Sequence, residues 1–328
     1  MRTRICSLLS ALLAALATAA AAAPRPTYPC YQTATPPVMD GVTAGDPAWV
    51  AIPTVTGFSK LGDGYTEAKQ TWVQACWDAQ ALYIGVTCEE PDVARLQLQV
   101  RDGGQTWLDD GVEIFVQPGG TGKVTQFVVT AGGAKGGFEG APDFRRYQAA
   151  ARAAADSYSL EIRIPFDLLG VVPKPGDRWR GDFCRNIFAR FSGGDQFTCW
   201  APLQTRFLEP EHYADIELLG AAPSAAEAAA LSERLNRPYR DEVAARLGAI
   251  AAEGAEYIPT LTEAARDERF ADRARLLLRQ WRQLDRALRR GESTPLAELR
   301  LLQSGAEALR QESYDLKYAY LIATVLGD

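Results

Sequence analysis

Two patterns of apolar positions divide the chain, and they meet near Gly220. Before it, short runs alternate apolar and polar residues between turn-forming clusters, the period of half-buried strands. Thr71–Trp77 and Leu82–Cys88 flank a tight polar turn and predict a hairpin. Leu96–Val100 predicts a third strand. Gly111–Gln117 and Val124–Thr130 flank the glycine-rich Pro118–Lys123 and predict a second hairpin. Ser159–Ile164 stops at Pro165, which has no N–H for a ladder. Phe183–Arg190 and Gln196–Trp200 flank a Ser-Gly-Gly-Asp turn, and Asp215–Leu219 closes the series. Ala149–Ala155 fits either a strand edge or a helical turn.

After Gly220, alanine, leucine, arginine and glutamate dominate and the apolar period lengthens. Ser224 followed by Glu227 reads as a capping box. Thr294 before Pro295 reads as an N-cap with proline at the first helical position. Phe270, Ala274, Leu277, Leu278, Trp281, Leu284 and Leu288 form one apolar helical stripe. Tyr314, Tyr318, Leu321, Ile322 and Val325 continue that period near the end. The expected fold is mainly β: an antiparallel β-sandwich, jelly-roll or immunoglobulin-like, over 24–220, then a small α-helical bundle over 221–328.

Arg2 and Arg4, the apolar Ile5–Leu16 and the alanines Ala19–Ala23 have the anatomy of a signal peptide over 1–23. This places the protein as secreted or periplasmic. No later run of apolar residues is long enough for a membrane span. The net charge of −6 excludes a binder that tracks nucleic-acid phosphates, which needs a basic stripe. Beyond the leader stand Cys30, Cys76, Cys88, Cys184 and Cys199. Export favours disulfides, and an odd count leaves at least one thiol over or an intermolecular bridge. If Trp77 faces Leu82, Cys76 faces Tyr83 and not Cys88, so those two cysteines are poor partners.

Several segments recur in a recognisable order. Pro37-Val-Met-Asp-Gly41 precedes Asp46-Pro-Ala-Trp49, and Cys76-Trp-Asp78 precedes Leu82-Tyr-Ile84. Trp107-Leu-Asp-Asp-Gly-Val-Glu-Ile-Phe115 is the most specific of them. Glu161-Ile-Arg-Ile-Pro-Phe166 with Leu169-Gly170, Gly176-Asp-Arg-Trp179, Asn186, Arg190 and Trp200-Ala-Pro202 follow. In this order the segments make residues 36–220 similar to the family 9 carbohydrate-binding modules, with the helical region outside the resemblance. Family members clamp a sugar between two tryptophans, assisted by acidic and amide side chains. Carried over by position, the resemblance implies Trp107 as first clamp, Glu113 as hydroxyl acceptor, Gln126 as amide partner and Trp200 as second clamp. Where the family often has asparagine three residues before the second tryptophan, Phe197 stands here.

The strand pattern agrees for the central hairpin. Val112, Ile114 and Val116 share one face, Glu113 and Phe115 the other. If Gln117 faces Val124, Phe115 faces Gln126 and Glu113 faces Val128, so Glu113 and Gln126 meet away from the core. Flat rings cover the CH face of a pyranose while carboxylates and amides hydrogen-bond its hydroxyls.

The expected function is therefore non-catalytic binding of a polysaccharide or oligosaccharide, accessory to polysaccharide degradation or uptake. Alternatives stay open on the sequence. A glycoside hydrolase would use carboxylates such as Asp109 and Glu113. A haem module would need an axial Met or His, and beyond the leader only Met39 and His212 qualify. A structural or protein-interaction role would use the C-terminal helices. No cofactor is assigned. Family modules often carry structural calcium, and Asp109-Asp110 is a pair calcium would accept, but turn capping explains it equally and no metal is assigned.

Overall fold

The computed structural model describes residues 25–138, 141–188 and 196–326. The expected leader, Arg190 and the Ser-Gly-Gly-Asp turn lie outside the described residues. The strand region runs β1 (Thr27–Gln32), α1 (Pro47–Val50), β2 (Thr54–Val55), β3 (Ser59–Lys60), β4 (Thr71–Trp77) and β5 (Ala81–Glu89). It continues with β6 (Gly111–Gln117), β7 (Thr125–Thr130), β8 (Lys135–Gly136), β9 (Gln148–Ala153), β10 (Ser157–Pro165) and α2 (Phe166–Leu169). It ends with β11 (Arg178–Ile187), β12 (Gln196–Cys199) and β13 (Ala214–Ala221). Helices α3 (Ala225–Leu235), α4 (Arg237–Gly254), α5 (Ile258–Ala264), α6 (Ala271–Arg289) and α7 (Leu296–Leu326) follow.

The chain is mainly β with C-terminal helices, as the pattern predicts, but the strands do not divide into two sheets. They form one continuous sheet in the order β8-β7-β6-β11-β13-β1-β4-β5-β10-β9, with β12 on β11 and β3, and β2 on β4. The sheet curls nearly into a barrel. Ile114 and Phe127 from one end share a single core with Ile84 and Ile162 from the other. Pairing is antiparallel except at β1, which lies parallel to both β13 and β4. The sequence hides β1 behind Pro29, which has no ladder donor. The strand tolerates it because β1 meets β4 only at Tyr31 and Gln32.

Both hairpin registers follow the alternation. Trp77 faces Leu82 and Cys76 faces Tyr83. Phe115 faces Gln126 and Glu113 faces Val128. The ambiguous alanine-rich stretch is strand β9, an edge strand paired with β10. The expected strand Leu96–Val100 is absent. Its donors go to side chains instead of a ladder: Gln97 N–H donates to Asp110 Oδ2 at 2.8 Å and Val100 N–H to Asp109 Oδ2 at 2.7 Å.

Three motif segments converge on one buried carboxylate. Glu161 on β10 accepts Asp40 N–H at 3.0 Å, Gly41 N–H at 2.9 Å and the Trp49 indole N–H at 2.8 Å. Gly41 has φ +83°, and a Cβ there would lie 2.7 Å from the Ala151 backbone, so only glycine fits. The segment 37–49 is thereby pinned across β10 and β9.

In the helical region, the Ser224–Glu227 capping box forms as expected. Helix α6 buries Ala274, Leu277, Trp281 and Leu284, the expected stripe. Helix α7 departs from expectation. It buries Leu299, Ala306, Leu309, Ser313 and Leu316, while Tyr314, Tyr318, Leu321, Ile322 and Val325 are exposed. The Trp281 indole needs an acceptor when buried, and Ser313 Oγ supplies it at 2.9 Å, which sets the face. Thr294 does not cap α7: its hydroxyl donates to Ala287 O at 2.6 Å. The helices join the sheet through polar contacts. Asn236 accepts Thr56 N–H at 2.8 Å and donates to Thr54 O at 2.9 Å, and Arg300 pairs with Glu89. Among the described residues no helix is long and apolar enough to cross a membrane.

Candidate functional site

On β6, Glu113 and Phe115 point away from the shared core, because Val112, Ile114 and Val116 occupy the inward positions. The neighbouring strands carry the pattern across the sheet. Glu113 faces Val128 on β7 and Cys184 on β11, so Gln126 and Asn186 are its diagonal neighbours on the same face. Both amides close on the carboxylate. Gln126 Nε2 donates to Glu113 Oε2 at 2.7 Å, and Asn186 Nδ2 donates to Glu113 Oε1 at 2.8 Å. Gln126 Oε1 in turn accepts the Phe138 N–H at 3.1 Å, which leaves the amide no freedom to flip. Glu113 is only 3% exposed. Burial pushes its carboxyl above the usual range, and the two amide donors partly offset that.

Above this floor is a cavity of about 710 Å³, of a size that takes a small ligand. Trp107 enters from a short helical turn, Thr106–Leu108, directly before β6. Its indole stacks on Phe138, with ring centroids 4.2 Å apart and planes inclined by 21°. Phe115 also lines the cavity, with Phe197 and Phe207. The loop that carries Phe207 and Leu208 is folded around Glu209, which accepts Gln204 N–H at 2.7 Å and Thr205 N–H at 2.9 Å. Among the described residues, Lys123 and Arg206 are the cations of the lining.

Of the residues singled out from the sequence, Trp107, Glu113 and Gln126 meet at this cavity. Trp200 does not join them. Its ring packs against Tyr28, with centroids 6.2 Å apart, and Phe183, at 6.0 Å, beside the shared core. The alternation of β12 accounts for this. Phe197 and Cys199 lie on the cavity face, so Trp200, one residue on, turns the other way. Asn186 was visible only as a motif position; its place beside Glu113 follows from the β11–β6 register. In the sequence Phe197 stands out only as a departure from the family's asparagine, and Phe207 and Leu208 carry no signal.

Asp109 and Asp110 are not at the cavity. Asp109 accepts the Val100 N–H, and Asp110 accepts Gln97 N–H and, at 2.9 Å, Phe188 N–H. Three of the four carboxylate oxygens thus cap backbone N–H groups, while among the described residues Asp109 Oδ1 is buried without a hydrogen-bond partner. Among the described residues no cluster of three or more His, Cys, Asp or Glu side chains is arranged to hold a metal.

Comparison with known proteins bears on the strand region. A family 9 carbohydrate-binding module from Caldicellulosiruptor kristjanssonii, solved in complex with cellotriose, is similar over 61% of this chain and 96% of its own. Identity is 19% and the TM-score 0.46. A second structure of a family 9 module from that organism, in complex with glucose, is similar over 59% of this chain and 97% of its own, at 20% identity and a TM-score of 0.44. No match is found among curated proteins. A family model described as carbohydrate family 9 binding domain-like matches residues 39–218. With more than half of its 328 residues matched, the chain belongs to the carbohydrate family 9 binding domain-like family.

Proposed function

We propose that the protein binds a saccharide in the cavity over β6 and β7, without chemical conversion, as an exported accessory to polysaccharide degradation or uptake. Trp107 covers an apolar sugar face, Glu113 accepts a hydroxyl, and Gln126 and Asn186 orient the carboxylate. Trp200 has no part in the contact. The observation that carries the reading is Glu113, a carboxylate set in a cavity floor between two amides and beside an indole. A hydroxyl donating to an ionised acceptor contributes about 1.5–3 kcal/mol. The indole adds apolar burial at about 25 cal/mol per Å².

Hydrolysis is the less favoured reading. It needs two carboxyl groups flanking one bond. Glu113 is the single carboxylate among the described lining residues, and Asp109 is turned to the Val100 backbone. The helical region, 221–328, is proposed as a second unit that presents a surface to a protein partner.

Calorimetric titration of the full chain with glucose and cellotriose tests the reading. Saturable heat with wild type, reduced about tenfold or more in affinity by Trp107→Ala, is expected. Absence of heat with both sugars, or an unchanged affinity in the variant, rejects it.

A further inference from the structure

The cavity's carboxylate and amide groups form one cluster, largely engaged with one another, and Lys123, Thr205 and Arg206 are further polar lining residues. Both Glu113 oxygens accept an amide N–H, and the Gln126 amide is held at both ends. Among the described residues, Asn186 Oδ1 is a buried acceptor with no partner of its own. This cluster has capacity for the hydroxyls along one edge of one sugar ring. One stretch of the remaining wall is different in kind. Phe115, Phe207, Phe197 and Phe188 run as a continuous edge-to-face series, with successive centroids 6.3, 6.0 and 6.1 Å apart. Leu208, 49% exposed, extends it to the surface. A second sugar placed here would set its hydroxyls against phenyl rings that offer no hydrogen bond, and a buried hydroxyl without a partner opposes binding. An aromatic ring loses nothing there and continues the edge-to-face series.

We propose that the ligand is a sugar bearing an aromatic substituent, with the sugar over Glu113 and the aromatic ring against Phe115, Phe197 and Phe207. This rests on the saccharide reading above and names the class of saccharide. The cavity is accordingly a site for aryl glycosides or aromatic sugar esters more than for a plain glucan.

The test is calorimetry of the full chain with three probes: methyl β-D-glucopyranoside, phenyl β-D-glucopyranoside and cellobiose. The phenyl glycoside is expected to bind about tenfold or more tighter than the methyl glycoside, and tighter than cellobiose. Phe207→Ala is expected to lower the phenyl glycoside affinity by a larger factor than the methyl glycoside affinity, and so to erase most of that gain. Leu208→Ala, at an exposed position that cannot disturb folding greatly, is expected to reduce it in the same selective way. Cellobiose binding as tightly as the phenyl glycoside overturns the assignment, as does a uniform loss for all three probes in both variants. If methyl glycoside and cellobiose bind without any gain from the phenyl ring, this inference alone falls. If none of the three binds, the saccharide reading falls with it.

Discussion

Replacing Glu113 by glutamine tests the centre of the site with almost no change of shape. In the native arrangement both carboxylate oxygens accept amide protons, at 2.7 Å from Gln126 and 2.8 Å from Asn186. In Glu113→Gln one of those amides meets an NH2 group and loses its acceptor. A hydroxyl of the bound sugar also loses an ionised acceptor, which contributes about 1.5–3 kcal/mol. The expected loss of affinity is about 10- to 150-fold. The pH dependence gives a second reading. Burial holds the Glu113 carboxyl above its unfolded value near about 4.3. Between those two values the folded state binds more protons than the unfolded chain, so this group's contribution to stability falls as pH rises through the window. Sugar affinity moves the opposite way, rising as Glu113 ionises. Calorimetric titration with glucose across about pH 4 to pH 8 should show that rise in wild type and a flat profile in Glu113→Gln. Equal affinity of the two proteins at neutral pH, or a pH profile shared by both, refutes the role given to Glu113.

Trp200→Ala should destabilise the fold by about 3 kcal/mol through loss of packing on Tyr28 and Phe183, yet leave the sugar affinity of the folded protein unchanged. Denaturant melts paired with titration check this, and lost binding at full stability contradicts it. Asp182 is fully buried, and that burial raises its carboxyl to about 8 despite the Ala201 and Phe183 N–H donors. Its unfolded value is near about 3.9, so stability should decline as pH rises between about 4 and 8, by up to about 1.4 kcal/mol per pH unit. Asp182→Asn should flatten that decline in melts taken at stepped pH, and an unaltered slope argues against it. Cys184 and Cys199 face each other directly across β11 and β12. Exchange with oxidised glutathione should link these two, detected by peptide mapping without reductant. A Cys76–Cys88 bridge would contradict the register of the β4–β5 hairpin.

The parts of the fold legible in the sequence are those governed by local alternation and tight turns. Both hairpin registers follow from period-two patterning around short loops, and with them the meeting of Glu113 and Gln126 on one face. Parity also held the answer for Trp200. Counting along β12 from Cys199 puts Phe197 on the cavity face and Trp200 off it, against what motif position alone implies. What remained illegible depends on distant partners. Leu96–Val100 reads as a strand until two carboxylates, nine and thirteen residues beyond the N–H groups they accept, take its donors. The outward tyrosines of α7 look like a core stripe until Trp281 selects Ser313. Phe207 reaches the cavity only because Glu209 folds its loop, a contact no periodicity announces.

The most direct test of the saccharide site is a glycan-array screen of labelled full-length wild type beside Trp107→Ala at matched concentration. The account predicts that wild type is retained on a defined subset of glycans and that the variant loses retention on every member of that subset. Retention of both proteins on the same glycans, or of neither on any, would contradict it.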